Sequence, residues 1–131
     1  MTAIIIGRFQ VPYLHLGHIY LISHAIQNYD RVIVLLGSCM VPDDKNPFSV
    51  NHRMGIIIKV FPQVGIEPLY DVPGNDKAWS EKVDIIIRNY DNPVLLHSRD
   101  SFVSHYTGRF GTREIPEIPG YSGTQLRKET T

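Results

Sequence analysis

The sequence has a single cysteine, no excess of charge of either sign and no long apolar run. Cys39 alone cannot form an internal disulfide, which excludes a disulfide-stabilised fold and is typical of a reducing compartment. The 13 Lys and Arg residues balance the 13 Asp and Glu residues, so no global field attracts nucleic acid and any anion site must be local. The N-terminus lacks a basic region before its apolar residues, and no run is long enough to span a bilayer. These absences predict a cytoplasmic protein that binds neither membrane nor nucleic acid.

The composition is that of one ordinary globular domain. The chain has 131 residues, of which 43% are hydrophobic and 20% charged, enough for one sizeable core but not for two. Apolar runs alternate along it with stretches of helical periodicity. This alternation predicts a single α/β domain over residues 1–131, built on a doubly wound parallel sheet with right-handed crossovers.

The predicted elements follow from apolar periodicity and from turn residues. Pro68 would deny its strand a hydrogen-bond donor, which favours an edge strand or a position at the start of a strand. In the second helix the spacing places Met54, Ile57, Ile58 and Phe61 on one apolar face. Strands are predicted at 2–6, 31–37, 66–72, 93–97 and 112–118, and helices from Leu16, from a cap at Ser49 or Asn51, from Ala78, and, shorter, at 100–106 and after Ser122 or Thr124.

The loop between the first strand and the first helix, residues 7–18, carries the clearest candidate site. Ligands of open α/β sheets bind beyond the carboxyl ends of strands, where a helix N-terminus favours phosphate. His15 and His18 are three residues apart and therefore lie on the same side of the first helical turn. Together with Arg8, they predict a polyphosphate ligand at this loop.

Zinc is an alternative ligand for the same two histidines. His24, His97 or Cys39 would then supply further ligands. None of these three lies at a spacing that marks a zinc site, whereas a phosphate-binding loop also accounts for the arginine and the glycines. Phosphate is therefore the favoured interpretation.

Several motifs together resemble the nicotinamide-nucleotide adenylyltransferases, a family of the HxGH nucleotidyltransferases. GRFQ followed by HLGH resembles the first signature of that family, and the YSGTQLR segment at 121–127 resembles its second. GS at 37–38, KNPF at 45–48 and HRM at 52–54 resemble its strand-end, turn and helix-start motifs. The resemblance implies a Rossmann-like nucleotidyltransferase domain that is short at its C-terminus relative to the family.

The resemblance also implies roles for individual residues. The catalytic residues would be Arg8, His15, His18, Lys45 and Arg127. The ATP-binding residues would be Gly7, Arg8, Phe9, Gln10, His15, Gly17, His18, Ser98, Arg99, Tyr121, Ser122, Thr124 and Arg127. The residues that bind nicotinamide mononucleotide (NMN) would be Ser38, Lys45, Asp71, Asn75, Asp76 and Trp79, with no metal ligand from the protein.

Some of these residues also have a plain structural interpretation. Trp79 lies on the apolar face of its helix and could be a core residue, although an indole also stacks well on a cationic pyridinium. Ser122 and Thr124 could simply cap a surface helix. For Arg53, a solvated helix position and a ligand contact are equally supported.

The reaction implied by the resemblance is attack by the 5′-phosphate of NMN on the α-phosphorus of ATP, giving NAD and pyrophosphate. Alignment of the two anions and stabilisation of developing charge would supply the catalysis. Mg²⁺ would be carried by the ATP phosphates. The alternatives are a cytidylyltransferase acting on a small phosphorylated alcohol such as glycerol 3-phosphate, and a noncatalytic nucleotide sensor. Homo-oligomerisation and the preference between nicotinamide and nicotinic acid forms are left open.

One departure from the family pattern concerns the first loop. The usual form reads GRFQP-F-HxGH, whereas here VPYL separates GRFQ from HLGH. His15 is therefore two residues farther from Arg8 than in the usual form. The longer loop either bulges outward and preserves the geometry or displaces the first histidine.

Overall fold

The structure, a computed structural model, describes residues 1–38, 47–98 and 102–115. Within these ranges it consists of a five-stranded parallel sheet and three α-helices, which confirms the predicted α/β class. None of the helices described is long and apolar enough to cross a membrane. The elements are β1 (Thr2–Gly7), α1 (Leu16–Asn28), β2 (Arg31–Ser38), α2 (Val50–Val60), β3 (Gly65–Tyr70), α3 (Asp76–Ile87), β4 (Pro93–His97), a 3₁₀ turn (Phe102–His105) and β5 (Thr112–Glu114).

The first strand lies at the centre of the sheet. The strand order is β3-β2-β1-β4-β5, and Thr2 of β1 pairs with Arg31 of β2 on one side and with Pro93 of β4 on the other. The chain therefore winds outward from β1 in one direction and then returns to wind in the other. The switch point lies beyond the carboxyl ends of β1 and β4, which is where ligands bind in sheets of this kind.

Helices cover both faces of the sheet, as the continuous apolar strands predict. On one face, α1 and α2 pack against alternate residues of β1, β2 and β4, with Ile22 and Ile57 fully buried. On the other face, α3 packs Val83 and Ile87 against the remaining strand residues. The two cores hold the central strands rigidly and so fix the edge from which the site loops leave.

The helix caps follow from local sequence. Ser49 accepts the N–H of His52 at 3.1 Å and starts α2, and Asn75 accepts the N–H of Ala78 at 2.9 Å and starts α3. The third helix therefore begins at Asp76, two residues before the predicted start. The third strand is at the sheet edge, which confirms the position that its proline predicts.

Three of the four residues predicted for the apolar face of α2, Met54, Ile57 and Phe61, pack against the core, but Ile58 does not. Ile58 is 42% exposed, whereas Arg53 and Ile57 are buried. The buried stripe of α2 is centred on these two residues. Apolar periodicity does not reveal this centre, because an arginine is counted as a polar residue. The prediction for 100–106 is met by the 3₁₀ turn, and the strand predicted for 112–118 is described from Thr112 to Glu114.

The segment after β4 is fastened across α3 by hydrogen bonds. The hydroxyl of Tyr106 donates to Asp84 at 2.6 Å, and the backbone N–H groups of Thr107 and Arg109 donate to Ser80 and Asp84 at 2.9 and 3.1 Å. Burial and the bond to Asp84 raise the pKa of Tyr106 to about 12. This fastening holds the 3₁₀ turn beside the first turn of α3.

Candidate active site

The two histidines of the first loop form the start of α1. His15 is the N-cap, and its Nδ1 accepts the N–H of Gly17 at 3.1 Å. Nδ1 of His18 accepts the N–H of His15 at 3.4 Å, and the two rings stack with centroids 3.7 Å apart. A nitrogen that accepts a hydrogen bond carries no proton, so each neutral ring bears its proton on Nε2. The first turn of α1 thus holds two imidazole Nε2–H donors in fixed orientations.

The protonation state of His18 follows from its burial. Burial, with a smaller contribution from His15, lowers the pKa of His18 from 6.5 to about 4. At neutral pH His18 is therefore a neutral hydrogen-bond donor and not a cation. The permanent positive charge of the loop comes from Arg8.

The low pKa of His18 predicts a pH dependence of stability. Between pH 6.5 and about 4 the unfolded chain binds a proton at this histidine that the folded chain excludes. The contribution to stability is therefore complete above pH 6.5 and is lost as the pH falls toward 4, by up to about 3 kcal/mol. Urea unfolding of the wild type and of His18→Gln across this range measures it. We expect the wild type to lose stability relative to His18→Gln on acidification, so that the unfolding free energy of the wild type minus that of the variant falls steadily between pH 6.5 and 4; a constant difference would contradict the assignment.

The two extra residues of the loop bulge outward. Tyr13 is 58% exposed and Pro12 is also exposed, whereas Leu14 is buried in the core next to the cap. Anchoring by Leu14 brings the chain back to the sheet edge before His15. The outward bulge is the first of the two possibilities left open by the sequence, and His15 remains the N-cap of α1 with its ring stacked on that of His18.

The middle of the loop is held by packing and by one side-chain amide. Phe9 has a φ of +52°, and its buried ring lies against the ring of His18 with centroids 4.8 Å apart. A Cβ on Gly7 would lie 2.8 Å from that phenyl ring, so glycine is required there. Gln10 donates to the carbonyl of Phe48 at 3.2 Å and accepts its N–H at 2.9 Å, which ties the loop to the turn before α2. ATP contacts by Phe9 and Gln10 stay predictions.

Arg8 and Asp71 form a bidentate ion pair. Nη1 and Nη2 of Arg8 donate to Oδ1 and Oδ2 of Asp71 at 2.8 and 2.9 Å. The resemblance assigns these residues to different substrates, but the structure joins them, because β1 and β3 both end at this edge of the sheet. The N–H of Asp71 also donates to the carbonyl of Ser38 at 2.9 Å, which fixes the chain beyond β3.

Arg53 is a buried residue whose structural role the sequence did not predict. It is only 2% exposed, and its Nη1 donates to the carbonyls of Arg8 and Gly37 at 2.9 and 2.8 Å. Nη2 donates to the hydroxyl of Ser38 at 3.0 Å, and Nε donates to the carbonyl of Ser49 at 3.2 Å. Arg53 is therefore a buried support for two strand ends. Its spacing of four from Ile57, on the apolar face of α2, was the available signal.

Ser38 and Trp79, two predicted NMN-binding residues, make contacts within the fold. Ser38 is fully buried, and its hydroxyl donates to the carbonyl of Leu36 at 3.0 Å. Trp79 is half-buried in the first turn of α3, with its ring centroid 6.3 Å from that of Phe102. His97, at the end of β4, presents its ring edge-on to the same phenyl ring at 6.2 Å. Trp79 therefore packs against the core and remains partly exposed.

The remaining predicted residues are partly described. Asn75 caps α3, Asp76 lies 3.3 Å from the ring nitrogen of His105, and Ser98 is exposed after β4. Among the described residues, no group of three or more His, Cys, Asp or Glu side chains could hold a metal ion. The predicted site residues outside the described ranges are Lys45, Arg99, Tyr121, Ser122, Thr124 and Arg127, together with Cys39 of the zinc alternative.

The fold and the loop at its switch point define the class of protein, an α/β nucleotidyltransferase. The family model described as cytidylyltransferase-like matches residues 4–129. A nicotinamide-nucleotide adenylyltransferase from Methanococcus maripaludis is 31% identical over 147 residues, covering 98% of this chain and 77% of that protein. Its counterpart from Archaeoglobus fulgidus is 28% identical, covering 98% and 79%. The chain belongs to the cytidylyltransferase-like family and, within it, to the nicotinamide-nucleotide adenylyltransferases.

A solved structure is similar over almost the whole chain. It is a bifunctional NMN adenylyltransferase/ADP ribose pyrophosphatase from Francisella tularensis, complexed with AMP and a manganese ion. The TM-score is 0.71 and the identity 28%, with 98% of this chain and 40% of that chain covered. The present chain thus spans less than half of that two-function enzyme.

Proposed function

We propose that this chain transfers the adenylyl group of ATP to the 5′-phosphate of NMN, giving NAD and pyrophosphate. The observation that supports this most directly is the stacked histidine pair at the N-terminus of α1, in which Nδ1 of each ring accepts a backbone N–H and Nε2 is left to donate. A helix N-terminus with added N–H donors and a guanidinium suits a polyphosphate. The relatives with 31% and 28% identity carry the corresponding name.

The residue types suit this chemistry. A phosphate monoester is nucleophilic at neutral pH, so no activated serine or cysteine is needed, and the obstacle is the mutual repulsion of two anions. Arg8 would hold the ATP phosphates, and the Nε2–H groups of His15 and His18 would donate to oxygens on which charge develops during transfer. These donors suit the task because the hydrogen bonds at Nδ1 and the stacking of the rings fix their orientation before reaction. Lys45, Ser122, Thr124 and Arg127 are proposed to complete the phosphate site.

The NMN side of the site is proposed to lie toward α3. The exposed part of Trp79 would stack on the cationic pyridinium ring, with Asn75 and Asp76 at the adjacent helix start. Mg²⁺ is proposed to arrive on the ATP phosphates, where it would offset their charge. The donors at this edge are N–H groups of imidazole and guanidinium, which suit a metal held by substrate oxygens and not by the protein.

A direct assay tests the proposal. Purified protein is supplied with Mg²⁺, either ATP or CTP, and either NMN or glycerol 3-phosphate, and NAD and pyrophosphate are quantified. We expect equal amounts of NAD and pyrophosphate from ATP with NMN only. Pyrophosphate from CTP with glycerol 3-phosphate would replace this function by that of a cytidylyltransferase. Nucleotide binding without pyrophosphate in any combination would identify a sensor.

A further inference from the structure

We propose that Asp71 is a positioning residue, which aims the Arg8 guanidinium at the ATP phosphates and acts through Arg8 instead of contacting NMN. This inference rests on the proposed function and adds to it. It changes the role of a carboxylate that the family resemblance assigns to NMN binding. The contacts around Arg8 support this role.

The ion pair fixes both the position and the plane of the guanidinium. The two parallel contacts of 2.8 and 2.9 Å join both terminal nitrogens of Arg8 to both oxygens of Asp71. A bidentate fork restricts the rotation of a side chain that otherwise has many rotamers. The side chains are 41% and 32% exposed, so the pair contributes little to stability, and its main effect is on orientation.

The backbone and the stem of Arg8 are held as well. Arg53 donates to the carbonyl of Arg8 from α2, and Ser38 accepts the N–H of Asp71. A Cβ on Gly37 would lie 3.3 Å from Cγ and 3.4 Å from Nη1 of Arg8, so the stem of the arginine crosses directly over this glycine. The ends of β1, β2 and β3, together with α2, therefore all contribute to the position of Arg8. Such convergence is expected of a group whose direction matters for phosphate binding.

Removal of the Asp71 carboxylate is expected to affect the ATP side of the reaction. In Asp71→Asn the guanidinium of Arg8 loses its bidentate carboxylate partner. We therefore expect kcat/KM for ATP to fall about 10- to 100-fold, while KM for NMN stays within about twofold of wild type. Asp71→Glu retains the charge and should recover part of the loss. Glu81→Gln, which removes an exposed carboxylate on α3, is the matched control and should match wild type.

A double-mutant cycle distinguishes action through Arg8 from direct contact. Wild type, Asp71→Asn, Arg8→Ala and the double variant are assayed with both substrates varied. We expect the double variant to be no slower than Arg8→Ala. A raised KM for NMN that persists in the Arg8→Ala background would overturn the inference, as would a loss of activity explained by a lowered unfolding midpoint.

Failure of the proposed function has a separate signature. If the wild type forms no NAD, the function is wrong, and the same four proteins are then titrated calorimetrically with a nonhydrolysable ATP analogue. The inference predicts that Asp71→Asn weakens this binding in the wild-type background and leaves it unchanged in the Arg8→Ala background. Equal weakening in both backgrounds would reject it.

Discussion

His18→Ala is expected to lower kcat about 100- to 1000-fold while the protein remains folded. The substitution removes an Nε2–H donor that is held in place by the stacked ring of His15 and by a backbone N–H on Nδ1. Loss of one oriented donor to a developing oxyanion has an effect of this size. The long 3.4 Å contact to the backbone contributes little, so the cost in stability should be on the order of 1 kcal/mol. Steady-state kinetics with ATP and NMN, together with circular dichroism, measure both.

His24→Ala is the matched control for this experiment. His24 lies on the same helix, half-exposed and beside Tyr20, away from the loop. It should keep wild-type turnover. If His18→Ala also turned over at the wild-type rate, the helix start would not be the phosphate site and the proposed mechanism would have to be abandoned.

Arg53→Ala is expected to lower the free energy of unfolding by about 3–5 kcal/mol. The substitution leaves the carbonyls of Arg8 and Gly37 and the hydroxyl of Ser38 without their buried donor. Each such loss costs about 1–3 kcal/mol, and water entering the space recovers part of it. Because domains of this size are stable by only about 5–15 kcal/mol, this is a large effect. Urea denaturation measures it.

Two companion variants sharpen the test of Arg53. Arg53→Lys keeps the positive charge but cannot reach all the acceptors with one ammonium group, so it should also be clearly destabilised. Lys59→Ala, at an exposed position in the last turn of α2, should change stability by less than about 0.5 kcal/mol. A cost below about 1 kcal/mol for Arg53→Ala would show that the strand ends hold their positions without it.

The fold could be predicted from the sequence because each element carries its own periodicity. The apolar runs are buried on both faces over residues 2–5 and 32–37, and the helix starts coincide with polar caps at Ser49 and Asn75. Pro68 correctly indicated an edge strand. These are local signals, and packing did not overrule them. The one misplaced position, Ile58, came from treating a buried arginine as a surface residue.

The histidine pair was predictable for the same reason. A separation of three residues within one helical turn is a local property, and the stacked rings at 3.7 Å follow from it. The pairing of Arg8 with Asp71 was not predictable in this way. These residues come from the ends of β1 and β3, and their contact depends on the position of each strand in the sheet and on a side-chain rotamer. The pattern of a single sequence contains neither the order of the strands in the sheet nor the rotamer of a side chain.

The central position of β1 has a consequence for biosynthesis. Its neighbour β4 lies roughly ninety residues further along the chain, so β1 leaves the ribosome long before both of its edges can be covered. During this interval of several seconds, the apolar strand β1 has β2 as a partner and one bare side. The pairing of β1 with β4 joins residues that are far apart in the chain, and such long-range pairing is slow. The nascent chain is therefore most vulnerable to association with other chains, and most in need of chaperones, just before residues 93–97 emerge.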